Sequence, residues 1–188
     1  MPRLTDANRA AKRAEIMAAA RRCFARDGFH QTAMPDIARE AGLSVGAPYR
    51  YFASKDALIL ELAGDAFTAI FEPIVAAPEP AGLGDLIAEA IEASPGGELL
   101  RCAVQAWSEL LINDAVRERA VAGFESVRLR LADVLRRGQD AGTVPLAIDP
   151  GRGARVIMAL LHGFLLQRVA FGLDDVAGFV ADVRAVLT

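Results

Sequence analysis

The sequence predicts an all-α fold with two domains, a short N-terminal one and a longer C-terminal one. Apolar residues recur at spacings of three and four along nearly every segment, whereas the strict alternation typical of strands does not occur. Glycine, proline and helix-capping residues divide these segments from one another. A chain of 188 residues is long enough for one small module and one larger helical body. We expect the domains at residues 1–54 and 55–188.

The first helix is predicted from Asp6 to Arg26, with Gly28 just beyond its end. One apolar stripe runs along it, and basic side chains occupy much of the remaining surface. The stripe that we expect to be buried consists of Ile16, Ala20, Cys23 and Phe24.

Two short helices around a glycine turn are predicted next. Thr32 is placed to cap the first of these two short helices, whose first turn contains a proline and Asp36. Gly42 ends this helix, because the chain must turn sharply there in a conformation that glycine adopts at little cost. Ser44 is the expected cap of the second helix, which runs from Val45 to Tyr51.

The second helix is predicted to present residues suited to nucleic acid on its outer side. Ala47, Tyr49 and Arg50 lie there, and tyrosine and arginine can reach phosphate oxygens or guanine edges in a major groove. Lys55, after a cap at Ser54, opens the following helix where a phosphate can be bound. A plain helical hairpin with surface charges is the alternative. The joint occurrence of caps, glycine turn, paired tyrosines and lysine favours a helix-turn-helix DNA-binding domain.

Several short motifs follow one another in this part of the chain. They are Phe24-Ala-Arg-Asp-Gly28-Phe29, Asp36-Ile-Ala38, Ala41-Gly-Leu-Ser44, Gly46-Ala-Pro-Tyr49-Arg-Tyr51-Phe52 and Ser54-Lys55-Asp56-Ala-Leu58. In this order, from Ile16 to Leu62, the chain resembles the tetracycline-repressor (TetR) family of bacterial transcription regulators. The resemblance covers about a quarter of the chain.

The resemblance and the residue types together predict the DNA interface. It comprises Thr32, Ser44, Val45, Gly46, Ala47, Tyr49, Arg50, Tyr51 and Lys55. Tyr49, Tyr51 and Lys55 are expected to bind phosphates, whereas Arg50 is expected at either a base edge or a phosphate. Ala47 departs from the family pattern, which has a phosphate-binding hydroxyl there. Pro48 replaces an aliphatic core residue and lacks an N–H, so the second helix is expected to start late or to be slightly distorted.

The C-terminal domain is predicted to be helical throughout. We expect helices at residues 55–71, before Pro73, and at 85–93, 98–112, 114–140, 150–171 and 174–187, with a proline- and glycine-rich loop at 76–84. Asp149 caps the helix at 150–171, and Gly172 ends it. That helix is apolar nearly all round, which packing within one subunit can explain. The resemblance instead implies a homodimer, in which the last two helices form a four-helix bundle with their two-fold mates.

A ligand pocket is the other feature that the resemblance implies. Large apolar side chains that are widely spaced in the sequence are candidates to line it. These candidates are Phe67, Phe71, Trp107, Phe124, Met158 and His162. Aromatic residues at helical spacing are also ordinary core residues, and His162 is equally explained as a core or interface histidine.

Charge and composition restrict the function further. The formal net charge is −3, but residues 1–60 contain ten Lys/Arg and six Asp/Glu, a net charge of +4, so the remainder carries −7. A basic end on an acidic body suits a protein that presents one face to phosphates. Cys23 and Cys102 share no metal-ligand spacing with the histidines and are predicted to be buried thiols in a reducing compartment.

Other classes of protein are not supported by the sequence. The N-terminal residues have no apolar signal-peptide core, and no later stretch looks apolar enough to span a bilayer, so we expect a soluble cytoplasmic protein. No nucleophile elbow, P-loop, dinucleotide fingerprint or metal-binding motif occurs. We therefore expect no catalytic activity, no cofactor and no metal.

The function expected from these features is a dimeric repressor. It binds a pseudo-palindromic operator and is released when a small apolar or amphipathic molecule occupies the C-terminal domain. An activator or a ligand-independent regulator is the alternative among DNA-binding functions. From a different class, an all-helical carrier of an apolar molecule that has lost its operator stays open too, because of Ala47 and Pro48.

Overall fold

The computed structural model describes residues 6–76, 82–94 and 96–187, and these ranges form helices without a strand. The elements are α1 (Asp6–Asp27), α2 (Met34–Glu40), a single 3₁₀ turn (Pro48–Arg50), α3 (Lys55–Ala76), α4 (Leu83–Glu92), α5 (Gly97–Ile112), α6 (Asp114–Asp140), α7 (Pro150–Phe171) and α8 (Val176–Leu187). The all-α prediction is confirmed.

The chain divides into two compact units. Unit 1 contains the residues up to Asp65 together with Gly96–Val116, and unit 2 contains Ala66–Pro95 together with the residues from Arg117 onward. The helix α5 therefore packs with the N-terminal helices, although it follows the predicted domain boundary at residues 54 and 55. The division into a DNA-binding domain at residues 1–54 and a ligand-binding domain at residues 55–188 stays a prediction.

The core of unit 1 is built on α1. All four residues of its predicted apolar stripe are fully buried. Phe24, on this stripe, packs edge-on against Phe29, with ring centroids 4.8 Å apart. Ile37 from α2, Phe52 and Leu58 belong to the same buried cluster. This cluster fixes the short helices that follow α1.

One face of α5 also packs on α1. The side chains along this face are spaced three or four residues apart; they are Glu98, Cys102, Gln105 and Glu109. Cys102 Sγ donates to the carbonyl oxygen of Arg21 at 3.6 Å, and Gln105 Nε2 donates to that of Phe24 at 3.2 Å. Both carbonyls belong to the last turns of α1, so α5 braces the end of that helix.

Unit 2 is a helical body in which α4 packs against α7 and α8. A Cβ atom at Gly84 would lie 3.3 Å from Arg184 Cα, so the absence of a side chain at Gly84 favours the close approach of α4 to α8. The Asp149 carboxylate accepts a hydrogen bond from the backbone N–H of Arg152 at 2.8 Å. Gly172 ends α7 with a φ of +67°. Both predicted boundaries of α7 are confirmed.

Helix α3 is longer than predicted. Pro73 was expected to end it, but α3 continues to Ala76 with the proline inside. Proline removes one helical hydrogen bond, whereas Ile70, Phe71 and Ile74 around it are buried. We attribute the continuation to this burial. The predicted loop at 76–84 lies largely in residues 77–81, outside the described residues, and α4 and α8 each begin two residues away from their predicted starts.

Helix α7 corrects one expectation about membranes. By length and composition alone it is apolar enough to cross a bilayer, although no stretch was expected to meet that criterion. The core helix of a soluble protein meets the same criterion, and seven residues of α7 are buried inside the protein. It also carries Arg152, Arg155 and Arg168. We assign α7 to the protein core on these grounds.

Candidate nucleic-acid interface

The start of α2 differs from the prediction by one residue. Ala33, not Thr32, is the N-cap, and its backbone N–H donates to Asp36 Oδ2 at 2.9 Å. The sequence prediction was wrong because the Asp36 carboxylate, rather than a threonine hydroxyl, satisfies the end of the helix. Thr32 is only 2% exposed, and its hydroxyl donates to the carbonyl oxygen of Gly28 at 2.8 Å. Its side chain therefore joins α2 to the end of α1.

The turn after α2 has the predicted glycine geometry. Gly42 has a φ of +66°, and its N–H donates to the carbonyl oxygen of Arg39 at 3.0 Å. The N–H of Leu43 donates to the carbonyl oxygen of Ala38 at 2.9 Å. This pair of bonds is the Schellman motif, in which a left-handed residue satisfies the last carbonyls of a helix.

The second helix of the motif is not an α-helix. Residues 44–51, which we call the recognition segment, form a turn followed by the 3₁₀ turn at Pro48–Arg50. Pro48 has no N–H to donate to the carbonyl of Ser44, which instead accepts from Ala47 at 2.9 Å. The prediction of Ser44 as the cap is also wrong, since the N-cap of the 3₁₀ turn is Ala47, three residues later.

The 3₁₀ turn decides which side chains point outward. Residues three apart share a face in a 3₁₀ helix. Pro48 is buried and Tyr51 packs against the core of unit 1, so this pair faces inward. Ala47 and Arg50 form the next pair, and Arg50 is exposed. Tyr49 occupies the remaining side and is 53% exposed.

Most basic side chains of α1 and α2 form ion pairs with carboxylates. The ion pairs are Lys12–Glu15, Arg13–Glu61, Arg21–Glu98, Arg22–Glu40, Arg26–Asp27 and Arg39–Asp36. Hydrogen bonds from Arg22 and Arg26 hold the pKa of the Glu40 carboxyl below its ordinary value. Among the described basic residues between positions 6 and 65, only Arg9, Arg50 and Lys55 form no ion pair with another described residue.

Lys55 is held in place by a backbone contact. Its Nζ donates to the carbonyl oxygen of Phe29 at 2.8 Å. The Ser54 hydroxyl accepts from the backbone N–H of Ala57 at 3.2 Å, which confirms Ser54 as the cap of α3. An ammonium group has three donors, so Lys55 can tie the start of α3 to the chain after α1 and still donate to a phosphate.

The predicted interface residues lie in one stretch of the chain, with the exception of the buried Thr32. Every one of them except Thr32 lies on the recognition segment or at the first residue of α3. Ser44, Val45, Gly46, Tyr49 and Arg50 are exposed, Ala47, Tyr51 and Lys55 are half-buried, and Thr32 is buried. Their contacts with DNA stay a prediction.

Two contacts that stabilise unit 1 were not predicted from the sequence. Arg13 pairs with Glu61 on α3, and its guanidinium lies over the Phe52 ring at 4.5 Å. No local pattern indicates such a contact. Glu109, which is 6% exposed, has its Oε1 3.3 Å from Nε2 of His30. The regular spacing of polar residues along α5 was the available signal for this second contact.

Four of the six predicted ligand-pocket residues come together in unit 2. The His162 ring lies 6.0 Å from that of Phe67, 5.8 Å from Phe71 and 6.3 Å from Phe124, measured between centroids. Burial lowers the pKa of His162 to about 4, so its imidazole is neutral at pH 7. Met158 is a buried residue of α7. Their role as a ligand site stays a prediction.

The remaining candidate, Trp107, lies on α5 in unit 1. Its role toward a ligand likewise stays a prediction.

Comparison with known proteins agrees with this geometry. Residues 16–62 match the family described as bacterial regulatory proteins, tetR family. The HTH-type transcriptional regulator UidR of Escherichia coli K12 is 28% identical over 184 residues, which cover 93% of this chain and 90% of that protein. The HTH-type transcriptional repressor Rv1474c of Mycobacterium tuberculosis is 38% identical over 63 residues, 34% of each chain.

Among solved structures, Salmonella enterica GusR has the same fold as this chain. Its TM-score is 0.79 at 28% identity, and the match covers 100% of this chain and 97% of that one. The helix-turn-helix surface, the family match and these full-length relatives lead to one conclusion. Residues 16–62 match the TetR family, and the chain is a TetR-like DNA-binding transcriptional regulator.

Proposed function

We propose that this regulator is a homodimeric repressor, which leaves its operator when a small apolar or amphipathic molecule binds in unit 2. The observation that carries the DNA-binding part is the exposed recognition segment, in which Tyr49 is exposed and Arg50 forms no ion pair with another described residue. Lys55, at the start of α3, is held by the carbonyl oxygen of Phe29. Phosphate and base contacts need such donors on an exposed, rigidly supported element. The name of the repressor Rv1474c supports repression rather than activation.

The dimer is proposed on α7 and α8. The exposed or half-exposed side of α7 contains residues three or four apart: Val156, Ala159, Gly163, Leu166 and Ala170. The exposed side of α8 contains Ala177, Ala181 and Ala185. Small and apolar residues in such rows let two helices pack closely. A two-fold axis through this surface would hold two recognition segments for the two halves of a pseudo-palindrome.

The effector is proposed to bind at the aromatic cluster of unit 2, formed by Phe67, Phe71, Phe124 and His162. The cluster draws rings from α3, α6 and α7. A molecule that enters between these helices changes their spacing, and it can release DNA only through a higher affinity for the state that does not bind the operator. A neutral His162 suits an apolar or amphipathic ligand. We place the protein in the cytoplasm, where it reaches chromosomal DNA.

The experiment that tests DNA binding is selection of genomic fragments by the purified protein, followed by titration of the enriched fragment at several salt concentrations. A repressor enriches a short inverted repeat, and its affinity falls steeply with salt because bound counterions are released. Tyr49→Ala should weaken this binding and leave the oligomeric state unchanged. A protein that enriches no sequence would be the carrier instead, and the repressor proposal would fail.

The ligand part has its own test. The fluorescent apolar anion anilinonaphthalene sulfonate should bind the native protein, and Phe67→Asp should weaken that binding at least tenfold, because a carboxylate enters an apolar ring cluster. Phe29→Leu in unit 1 is the matched control that should leave probe binding unchanged. Equal probe binding by the wild type and Phe67→Asp would remove the aromatic cluster as the ligand site.

A further inference from the structure

We propose that Arg50 specifies a guanine in each operator half-site by donating two hydrogen bonds to its O6 and N7, rather than binding a phosphate. This inference rests on the proposed DNA-binding function and assigns the base that the recognition segment reads. Three independent features of the segment support it: the choice of hydrogen-bond donors, the small size of Gly46 and Ala47, and the charge of Arg50, which no described carboxylate neutralises.

The first feature is the short supply of base-reading groups. Of the side chains in the recognition segment, only Ser44, Tyr49, Arg50 and Tyr51 can form hydrogen bonds. Tyr51 packs against the core of unit 1, and the serine and tyrosine hydroxyls each offer a single donor. A guanidinium alone presents the planar pair of donors that matches the two acceptors of guanine in the major groove.

The second feature is the small size of Gly46 and Ala47, which precede Arg50 in the recognition segment. A Cβ atom at Gly46 would meet nothing within 4 Å, and its φ is not in the left-handed region. The fold of the subunit therefore does not explain why glycine stands there. Ala47 shares the outward face of the 3₁₀ turn with Arg50. Two residues with little or no side chain let the backbone approach the DNA closely, which brings the guanidinium to the base edges.

The third feature is the unneutralised charge of Arg50. Arg22, Arg26 and Arg39 in the same unit are held by carboxylates at 2.7 to 3.1 Å. Arg50 is exposed and forms no ion pair with another described residue. Its guanidinium can bind a base without first breaking an intramolecular bond. Phosphate binding is left to Tyr49 and to Lys55, which is the first residue of α3.

The test compares wild type and Arg50→Ala on the enriched operator. Each guanine of one half-site is replaced in turn by 7-deazaguanine, which lacks the N7 acceptor. We expect the wild type to lose about tenfold in affinity at one position, and the variant to show no loss at that position. Repeated selection with Arg50→Ala should yield repeats in which that base is no longer specified.

Two further variants separate base reading from charge. Arg50→Lys keeps the charge but loses the planar fork, so it should also lose discrimination at that guanine. Arg9→Ala removes another cation without an ion pair to a described residue, and it should leave every base preference intact. Thermal unfolding should be unchanged in all three variants, because these side chains are exposed and unpaired among the described residues.

Two outcomes would overturn the inference. If Arg50→Ala weakens operator and unrelated DNA equally and lowers the salt dependence by about one counterion per half-site, which is about two per dimer, Arg50 is a phosphate ligand. If Arg50→Ala binds the operator as the wild type does, Arg50 contacts neither group. A failure of the proposed function looks different, since no sequence would then be enriched by the wild type.

Discussion

At the scale of single residues, the half-buried His162 makes stability depend on pH. Its folded pKa of about 4 lies below the ordinary value of 6.5 because burial disfavours the imidazolium. The unfolded chain therefore binds a proton before the folded one does, and stability is lost as the pH falls from 6.5 toward 4. Between pH 7 and pH 5 we expect His162 to lower the free energy of unfolding by about 2 kcal/mol.

Urea unfolding of the wild type and His162→Phe at both pH values measures this effect. The phenylalanine fills a similar volume and does not titrate, so the variant should lose less stability on acidification by about the same amount. The change in unfolding free energy between the two pH values is compared for the two proteins, and the difference removes the contribution of other titrating groups. An equal loss of stability in the two proteins would contradict the role of His162.

The two free thiols give a second prediction at this scale. Cys23 and Cys102 are both fully buried, and burial raises the pKa of each, that of Cys102 to about 12. A thiol reacts as its thiolate. We therefore expect a disulfide reagent such as Ellman's to modify the native protein slowly and to modify both thiols at once in denaturant. Rapid labelling of the native protein would contradict this, and Cys102→Ser should leave one reactive thiol after unfolding.

At the scale of elements, the turn after α2 separates backbone strain from packing. Gly42 has a positive φ, but a Cβ atom there would meet nothing within 4 Å. Gly42→Ala should therefore cost about 1–2 kcal/mol through the left-handed conformation alone. Gly42→Asn should cost less, since asparagine tolerates that region. Thermal unfolding measures both.

Gly46→Ala is the matched control for this prediction. Gly46 has equal space around it and no positive φ, so the substitution should not lower the melting temperature. If Gly42→Ala is as stable as Gly46→Ala, the turn carries no strain.

The elements also reveal how far sequence reasoning reaches. Caps and turns close to a helix end, such as Ser54, Gly42 and Asp149, follow from local chemistry, and the structure contains them as predicted. Competition between local and tertiary effects is harder to predict. Proline was expected to end α3, yet burial of its neighbours carries the helix past Pro73. Pro48 in the recognition segment is also buried, but no established helix precedes it as one precedes Pro73. The segment forms a 3₁₀ turn instead of an α-helix.

The candidate site was predicted with the same mixture of success and failure. The exposed residues of the recognition segment follow from the motif. The hydroxyl of Thr32 turns inward because the nearby Asp36 caps α2 in its place. The contact of α5 with α1 joins residues about 80 positions apart in sequence, and only the folded chain brings them together.

At the scale of the whole molecule, the proposed dimer can be tested without disturbing the subunit. Gly163 lies on the proposed face of α7, and a Cβ atom there would meet nothing within 4 Å in the single chain. Gly163→Arg should therefore fold, and arginine favours a helix more than glycine does. In a close pair of helices, however, the long charged side chain would prevent contact. We expect a monomer in analytical ultracentrifugation, and operator affinity about a hundredfold lower because one head must bind alone.

Gly123→Arg is the control that makes this result specific to α7. Gly123 is exposed on α6, and a Cβ atom there also meets nothing within 4 Å. The two variants introduce the same charge and the same side chain, so any difference between them must come from the surface that each residue occupies. The control should remain dimeric with unchanged operator affinity. If Gly163→Arg also remains a dimer, the two subunits meet through another face, and the spacing of the recognition segments must be set there.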